Sequence, residues 1–436
     1  MTDDQRVAIV GLGYVGLPLA IAFAEAGLDV TGVDLSELRV AELEARHSPI
    51  DDVSDERLAS ALDGTLTVST VAAARLADAD AIFVCVPTPL TSTKDPDLGP
   101  VTDAAESIAR SLRPGQLVVL QSTTFPGTTT GPFRAALERG GLRAGVDFDL
   151  AFAPERVSPG DPTSASRAVP RLIGGTTRTA TDRAARLLGR INDTVHKLSS
   201  PDAAELAKLL ENVFRNVNIA LVNNLALLCE RMGLDVWEVI DAASTKPFGF
   251  MRFVPGPGVG GHCIPIDPYY LSWRAREFDF IDRFVELAGD INLAMPRHVV
   301  DLVVDALNDR GKALSGARIG IVGVAFKPNV RDARNAPAAA VIAGLAERGA
   351  EVAFHDPHID DFVDASGVGR KGRDLDELIG WSDAVVVLTA HAVVDWTRLY
   401  DTAELVVDTV NSSAGRRVRD RQVLRLGAGW SSAPTA

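Results

Sequence analysis

Twice along this chain, an apolar strand-like run ending in glycine opens a series in which such runs alternate with segments of helical periodicity. The first series is "RVAIVGLG", "YVGLPLAIAFAEAGL", "DVTGVDL", "AIFVCVPTP" and "GQLVVLQST", with "FDLAFAPE" and "RLIGG" extending it to residue 197. The second is "ARIGIVGVAF", a helix near "APAAAVIAGLAERG", then "EVAFHDP", "SDAVVVLTAH" and "LVVDTVN". Apolar strands separated by helices are covered on both faces and joined by right-handed crossovers, so each series predicts a doubly wound, parallel sheet. Between them, the segment from Ser200 to Asp235 reads as one helix of roughly thirty residues, longer than the usual globular helix. Ser199 and Ser200 are its candidate N-caps, Pro201 and Asp202 belong to its first turn, and Gly233 stands near its stop. The expected fold is α/β: two doubly wound Rossmann-like domains joined by a central helical domain with one long helix. The expected bounds are 1–197, 198–310 and 311–430, a division in keeping with a chain too long for one core.

Charge and cysteine content narrow the function classes. A net charge of −14 offers no basic field to gather phosphates, which argues against a nucleic-acid partner. A small anion can still be held by a few local cations. Cys85, Cys229 and Cys263 are too few and too scattered for a disulfide framework or a zinc site, so no metal is expected. They fit a reducing cytoplasm. The start "MTDDQRVAIVG" lacks a basic-then-apolar leader, and no apolar run reaches the length of about 18 residues that a membrane span needs.

Gly11-Leu12-Gly13-Tyr14-Val15-Gly16 follows the first strand and opens the first helix. In this G-x-G-x-x-G pattern the first glycine permits the turn and the second lets a pyrophosphate approach the backbone. The third lets helix and strand pack closely, while the helix N-terminus attracts phosphate. Asp34 ends the second strand at the spacing of an acid that binds ribose hydroxyls. A carboxylate there repels a 2′-phosphate, which favours NAD over NADP. In the second series "GIVGVAF" lacks the full glycine set, so a ligand other than a dinucleotide is expected there.

Two further features carry chemistry. Glu205, Lys208, Asn212 and Asn216 lie three or four residues apart on the long helix and form one polar stripe, flanked by Leu209, Leu210, Val213 and Val217. The stripe is either a solvated surface or a buried face, where an ammonium needs an anionic partner or a reacting oxygen. The segment "PGPGVGGHCIPID", Pro255 to Asp267, combines glycines that permit close approach with prolines that stiffen the chain. It places Cys263 just before a helix N-terminus, where a thiol ionises more readily, with Asp267 within one turn. The alternative is a buried structural cysteine; His262 is left unassigned. A dinucleotide with a nucleophilic thiol suits a four-electron oxidation. A primary alcohol becomes an aldehyde, the thiolate adds to it, a second hydride leaves, and water releases a carboxylate, consuming two NAD.

The ordered motifs "GLGYVGLPLA", "VCVPTP", "QSTTFPGTT", "APERVSPG", "AKLLENVFRNVN", "PGPGVGGHCIPIDP" and "GVAFKPNVRDAR" resemble the UDP-glucose/GDP-mannose dehydrogenase family over residues 6–411. On that resemblance Cys263 is the thioester-forming nucleophile. Lys208, Asn212 and Asp267 match the family's catalytic residues that handle proton, water and oxyanion. Thr123 matches a threonine near cofactor and reacting carbon, and Glu155 an acid of thioester hydrolysis. Asp34, Arg39 and Thr88 match cofactor contacts beside Gly11, Gly13, Tyr14, Val15 and Gly16, and Arg334 one that reaches the pyrophosphate. The resemblance assigns to the sugar nucleotide Glu155, Arg156, Val157, Lys208, Asn212, Phe253, Gly260 and Lys327. "PERVSPG", "TKPFGF" and "HCIPIDPYYLSW" are most similar to members that oxidise UDP-N-acetylglucosamine, with UDP-N-acetylmannosamine or UDP-glucose as alternatives. Val410 departs from an arginine common in relatives. Family members are typically homodimers built on the long helix. Outside the four-electron reading stand a two-electron dehydrogenase that does not need Cys263 and a nucleotide-sugar-binding regulatory protein.

Overall fold

A computed structural model of the chain describes residues 5–50, 52–70, 76–91, 95–156 and 167–432. It divides into two compact units, Met1–Glu211 with Tyr269–Ile281, and Asn212–Pro268 with Asp282–Ala436.

In the first unit β1 (Arg6–Val10), β2 (Asp29–Val33), β3 (Leu66–Ser69), β4 (Ala81–Val84), β5 (Leu117–Leu120), β6 (Asp149–Phe152), β7 (Arg171–Gly175) and β8 (Val195–Lys197) form one sheet in the order β3-β2-β1-β4-β5-β6-β7-β8. Strand order reverses at β1, which pairs in parallel with β2 on one side and β4 on the other. That reversal opens a crevice at the carboxyl ends of β1 and β4, the usual ligand position in such sheets. The apolar runs are explained by two-sided burial. Ile9, Phe83 and Val119 pack with Leu17, Ile21 and Phe23, while Ala8, Ile82 and Val118 pack with Val101, Ile108 and Phe133.

The sheet departs from the expected all-parallel arrangement at one place: β7 runs antiparallel to β6. An antiparallel neighbour needs no crossover helix. The glycines of "RLIGG" serve close packing here, since a Cβ on Gly174 would lie 2.0 Å from the Ser200 carbonyl oxygen and one on Gly175 2.5 Å from the Thr181 nitrogen.

In the second unit β9 (Arg318–Val322) and β10 (Glu351–His355) are followed by a small antiparallel pair, β11 (Asp361–Val363) and β12 (Gly369–Lys371). Then come β13 (Ala384–Val387), β14 (Val406–Asp408), β15 (Val423–Arg425) and β16 (Gly429–Trp430). The main sheet has the order β10-β9-β13-β14-β15-β16, parallel except for its last pair. Its core continues into helices Val236–Ser244 and Arg283–Asn308 through Trp237, Ile240, Met295, Val299 and Val303.

The long helix runs from Pro201 to Met232, 32 residues, and divides between the units after Glu211. Ser200 Oγ accepts the Ala203 amide proton at 3.1 Å and caps its start. Gly233, at φ +68°, ends it in the left-handed region where a side chain is unfavourable. Among the described residues no helix is long and apolar enough to cross a membrane.

Candidate active site

Packing dictates the glycines of the first β-turn-helix. Gly11 has φ +91°, and a Cβ there would lie 2.5 Å from the Cys85 carbonyl oxygen; a Cβ on Gly16 would lie 1.7 Å from the Gly11 carbonyl oxygen. Gly13 is different, because its Cβ would meet only Arg39 Nη1, at 3.7 Å. The turn is therefore closed from behind and open at its middle glycine. Asp34 Oδ2 accepts the Leu12 amide proton at 2.8 Å, Oδ1 accepts that of Ser36 at 2.9 Å, and Arg39 Nη1 lies 3.7 Å from the same carboxylate. Val15 precedes helix Gly16–Glu25 and Tyr14 stands half-exposed beside the turn. An accessible backbone, a helix N-terminus and a carboxylate at the end of β2 fit a dinucleotide bearing ribose hydroxyls.

The same unit holds Thr88 buried beyond β4 and Thr123 half-buried beyond β5. Glu155 ends the "APE" segment in an ion pair with Arg171 at 2.6 Å, and its Oε1 accepts the Arg156 amide proton at 2.7 Å. Arg156 pairs with Glu211 of the long helix at 2.7 Å. Val157, with the rest of "VSPG", lies outside the described residues.

The polar stripe of the long helix is buried. Glu205 and Asn212 have no exposure, and Lys208 and Asn216 almost none, whereas Leu206, Leu210 and Phe214 are 45%, 61% and 44% exposed. The solvated-surface reading of the stripe is thereby overturned: polar residues face inward and apolar ones outward. Glu205 accepts hydrogen bonds from the Gly127 amide at 2.7 Å, the Thr129 amide at 2.9 Å and Thr129 Oγ1 at 2.6 Å. Burial pushes its carboxyl up to about 7 although these three donors pull the other way.

In the second unit Cys263 is exposed and outside any disulfide. Its carbonyl accepts the Ile266 and Asp267 amide protons at 3.2 and 2.8 Å, a turn that leads directly into helix Asp267–Arg276. Asp267 is buried, and its Oδ2 accepts from Asn212 Nδ2, while Asn212 Oδ1 accepts from Arg215. The carboxylate after the cysteine and the asparagine of the long helix are thus held together. Arg215, one turn beyond Asn212, joins them, a partner that its spacing of three could have signalled.

The glycines of this loop answer to neighbours as well. A Cβ on Gly260 would lie 2.8 Å from Phe326 Cβ, 2.9 Å from Pro337 Cδ and 3.0 Å from the Asn335 carbonyl oxygen; one on Gly261, at φ +85°, would lie 2.9 Å from the Phe326 ring. The Gly261 amide donates to the Arg334 carbonyl at 3.0 Å, and Asn335 Nδ2 donates to the Gly261 carbonyl at 3.1 Å. The cysteine loop is therefore seated on the segment following β9. His262 titrates below its usual range, mainly through burial and further through Arg334, with Asp332 opposing. Burial thus favours the neutral imidazole of His262.

Lys327 is half-buried on that same segment. Arg334 lies bidentate on Asp332, at 3.0 Å for Nε–Oδ1 and 2.6 Å for Nη2–Oδ2. Phe253 packs edge-on to Phe214 with ring centroids 5.8 Å apart. Val410 supplies an amide proton to the fully buried Asp408 at 3.2 Å, and Ser412 and Ser413 also donate to that carboxylate.

The expectation that the second glycine turn serves a different ligand has a structural counterpart. Asp356, one residue beyond β10, mirrors Asp34, but its Oδ2 accepts from the Val324 and Ala325 amides at 2.7 and 3.0 Å and lies 3.1 Å from buried His391 Nε2. The carboxylate that would meet a ribose is enclosed by protein donors. The acid in "FHDP" was visible in the sequence, whereas its partner, 35 residues away, was not.

Comparison with known proteins agrees with this arrangement. Three profiles of the UDP-glucose/GDP-mannose dehydrogenase family match in chain order: the NAD binding domain over residues 5–192, the central domain over 202–294 and the UDP binding domain over 320–414. UDP-N-acetyl-D-glucosamine 6-dehydrogenase of Pseudomonas aeruginosa is 36% identical over 395 residues, 89% of this chain and 91% of that protein. UDP-N-acetyl-D-mannosamine dehydrogenase of Pyrococcus horikoshii is 37% identical over 389 residues, 89% of this chain and 90% of that one. The solved structure of the UDP-D-ManNAc dehydrogenase from Pyrococcus horikoshii superposes with a TM-score of 0.86 at 33% identity, covering 97% of this chain and 99% of the other. The chain belongs to the UDP-glucose/GDP-mannose dehydrogenase family and is an NAD-dependent nucleotide-sugar oxidoreductase.

Proposed function

We propose that this protein oxidises C6 of a UDP-N-acetylhexosamine, UDP-N-acetyl-D-glucosamine foremost, to the corresponding uronic acid, with Cys263 as covalent nucleophile. The observation that carries the reading is the exposed Cys263 thiol at the mouth of helix Asp267–Arg276, beside a carboxylate–amide pair formed by Asp267 and Asn212. Partial positive charge at a helix start favours the thiolate, and the buried pair holds one orientation without solvent.

Bound NAD supplies the hydride acceptor, one equivalent for each of two oxidations. Gly11, Gly13, Tyr14, Val15, Gly16, Asp34, Arg39, Thr88, Thr123 and Arg334 are the proposed cofactor contacts. In the first oxidation the C6 hydroxyl passes its proton to a water ordered by Asp267, Lys208 stabilises the alkoxide, and departure of one hydride from C6 leaves an aldehyde. Cys263 Sγ then bonds to C6, giving a hemithioacetal whose oxygen Lys208 and Asn212 stabilise. Loss of the second hydride leaves a thioester on Cys263. Asp267 and Glu155 order the water that attacks it; the C–S bond breaks, and carboxylate and thiol are released. Arg156, Val157, Phe253, Gly260 and Lys327, with Glu155, Lys208 and Asn212, are the proposed sugar-nucleotide contacts.

The three-part division at 1–197, 198–310 and 311–430 remains our assignment. A homodimer through the long helix is supported by its outward apolar seam of Leu206, Leu210, Phe214, Leu221, Leu228 and Met232. An unpartnered seam of that kind calls for a second apolar surface. A cytoplasmic setting is in keeping with three cysteines outside any disulfide.

The test is a panel of UDP-GlcNAc, UDP-GalNAc, UDP-ManNAc, UDP-Glc and GDP-Man with NADH counted per sugar. Two NADH per UDP-GlcNAc, and uronic acid formed by the parent but not by Cys263→Ser, are expected. A single NADH supports a two-electron dehydrogenase, and preference for UDP-ManNAc moves the substrate to the epimer named for the Pyrococcus relative. Binding without turnover on any sugar restores the regulatory reading.

A further inference from the structure

Asn216, the last residue of the polar stripe, forms a buried chain of amides in the second unit with Asn223 and Asn292. Asn223 is fully buried, and Asn216 and Asn292 are 4% and 6% exposed. Asn292 Nδ2 donates to Asn216 Oδ1 at 2.8 Å and to the Asn216 carbonyl at 3.2 Å. Asn223 Nδ2 donates to Asn292 Oδ1 at 2.9 Å. Asn223 Oδ1, at the end of the chain, accepts the Gly256 amide proton at 3.0 Å. Gly256 is the second residue of the cysteine loop. Asn292 touches that loop again, because its carbonyl oxygen is 3.3 Å from where a Cβ on Gly258 would stand.

Asn216 lies one turn beyond Asn212 on the long helix, and Asn212 binds Asp267 at the loop's other end. Asn223 lies on the same helix, seven residues beyond Asn216, so the loop is tied directly to that helix at both ends, by Asn212 at the exit and by Asn223 at the entry, and Asn292 of helix Arg283–Asn308 braces the Asn223 amide against Asn216. Apolar packing alone could hold helix Arg283–Asn308 against the long helix, but it tolerates sliding. Directional hydrogen bonds between buried amides do not, since a slip leaves several polar groups unsatisfied together.

We propose that Asn292, bridging Asn216 and Asn223, is a positioning residue for the reaction: by fixing the Asn223 amide that holds Gly256 it sets the entry of the cysteine loop relative to Asn212, and so where Cys263 Sγ stands. This rests on the reading of Cys263 as nucleophile. Asn292 touches neither substrate nor cofactor in this role; it acts through Gly256 and Gly258.

The experiment compares purified, folded Asn292→Ala, Asn223→Ala and Asn216→Ala with the parent. Turnover is measured with NAD and UDP-GlcNAc, and alkylation of Cys263 by iodoacetamide is followed by peptide mass spectrometry from pH 6 to pH 9. An error of about 1 Å at a reacting atom can cost about 100-fold. Asn292→Ala and Asn223→Ala are expected to lower kcat by about 30- to 100-fold and to shift the pH profile of alkylation, with KM for NAD within about twofold of the parent. Asn216→Ala should cost less than about threefold, because Asn292 Nδ2 keeps the Asn216 main-chain acceptor. A merely structural role predicts lowered melting temperatures with parental kcat and an unmoved alkylation profile, and that result overturns the proposal. If Asn292→Ala does not fold, hydrogen exchange in the parent decides: the Gly256 amide must be protected like the core helices, and exchange at an open-loop rate refutes the chain. Failure of the underlying reading shows separately, as uronic acid released by Cys263→Ser at the parental rate.

Discussion

Gly260→Ala, three residues before Cys263 and at a proposed sugar-nucleotide contact, perturbs the loop without altering any catalytic side chain. The Gly260 backbone is not in the left-handed region, so the added methyl brings a steric cost and no torsional one. It would stand 2.8 Å from Phe326 Cβ where ordinary contact begins at 3.4 Å, an overlap of 3.4 − 2.8 = 0.6 Å, with Pro337 Cδ and the Asn335 carbonyl pressing at 2.9 and 3.0 Å. None of these is the far end of a flexible side chain, so the loop must lift. Overpacking of this kind costs about 1–3 kcal/mol. In a unit of this size that lowers the melting temperature by about 2–12 °C. A lift of half an ångström or more at Gly260 carries to the thiol, and about tenfold loss of kcat is expected from the sensitivity of near-attack geometry. Gly256→Ala is the internal control. Its methyl meets nothing within 4 Å and its φ is ordinary, so its melting temperature should match or exceed the parent's. Thermal melts and steady-state kinetics on both variants check the reasoning. Parental stability and kcat in Gly260→Ala would mean that the seat on Phe326 and Pro337 does not constrain the loop.

Two further outcomes follow from the long helix. Lys208→Ala should reduce kcat by about 100-fold or more, the scale of losing a positioned proton-handling or oxyanion group, with KM for NAD changed far less; equal losses in both would assign Lys208 to cofactor binding. Glu205 keeps its proton in the folded protein up to about 7, against an ordinary 4.5. Between those values the unfolded chain has released the proton and the folded one has not, so stability is greatest below this window and falls as pH rises through it. Denaturant midpoints should decline from pH 5 to pH 7.5 in the parent and less steeply in Glu205→Gln. Identical pH slopes in the two proteins would dismiss Glu205 as the titrating group.

The dinucleotide end of the molecule was legible because its signals are local. Gly11 to Gly16, Asp34 and the helix bounded by Ser200 and Gly233 each announce themselves within one or two elements. The face of the long helix was harder to read. Period alone groups Glu205, Lys208, Asn212 and Asn216, but the group lies inward only because partners such as Thr129 and Asp267 arrive from 55 to 76 residues away. Of the Asn216–Asn292–Asn223 chain only Asn216 was grouped by period; Asn223 and Asn292 were missed, since an asparagine in an apolar helix looks the same whether it meets water or another amide 69 residues on. The glycines of "PGPGVGGHCIPID" were visible as permission for a close approach, whereas Phe326 and Pro337 as the approaching atoms required the fold. The reversal of β7 was hidden as well, since strand direction is absent from an apolar pattern.

One consequence of the inverted long helix concerns how the protein can change over generations. Most catalytic groups sit on loops, where neighbouring exterior residues drift freely. Lys208 and Asn212 share a single rod with Leu206, Leu210 and Phe214, each one helical turn or less away along the axis. Whatever grips the outer ridge also sets the pitch and azimuth of the lysine on the reverse side. With the homodimer and the roles of Lys208 and Asn212 proposed above, quaternary contacts and chemistry evolve as a couple, and a redesign that makes the ridge hydrophilic for solubility should be judged first by its turnover number.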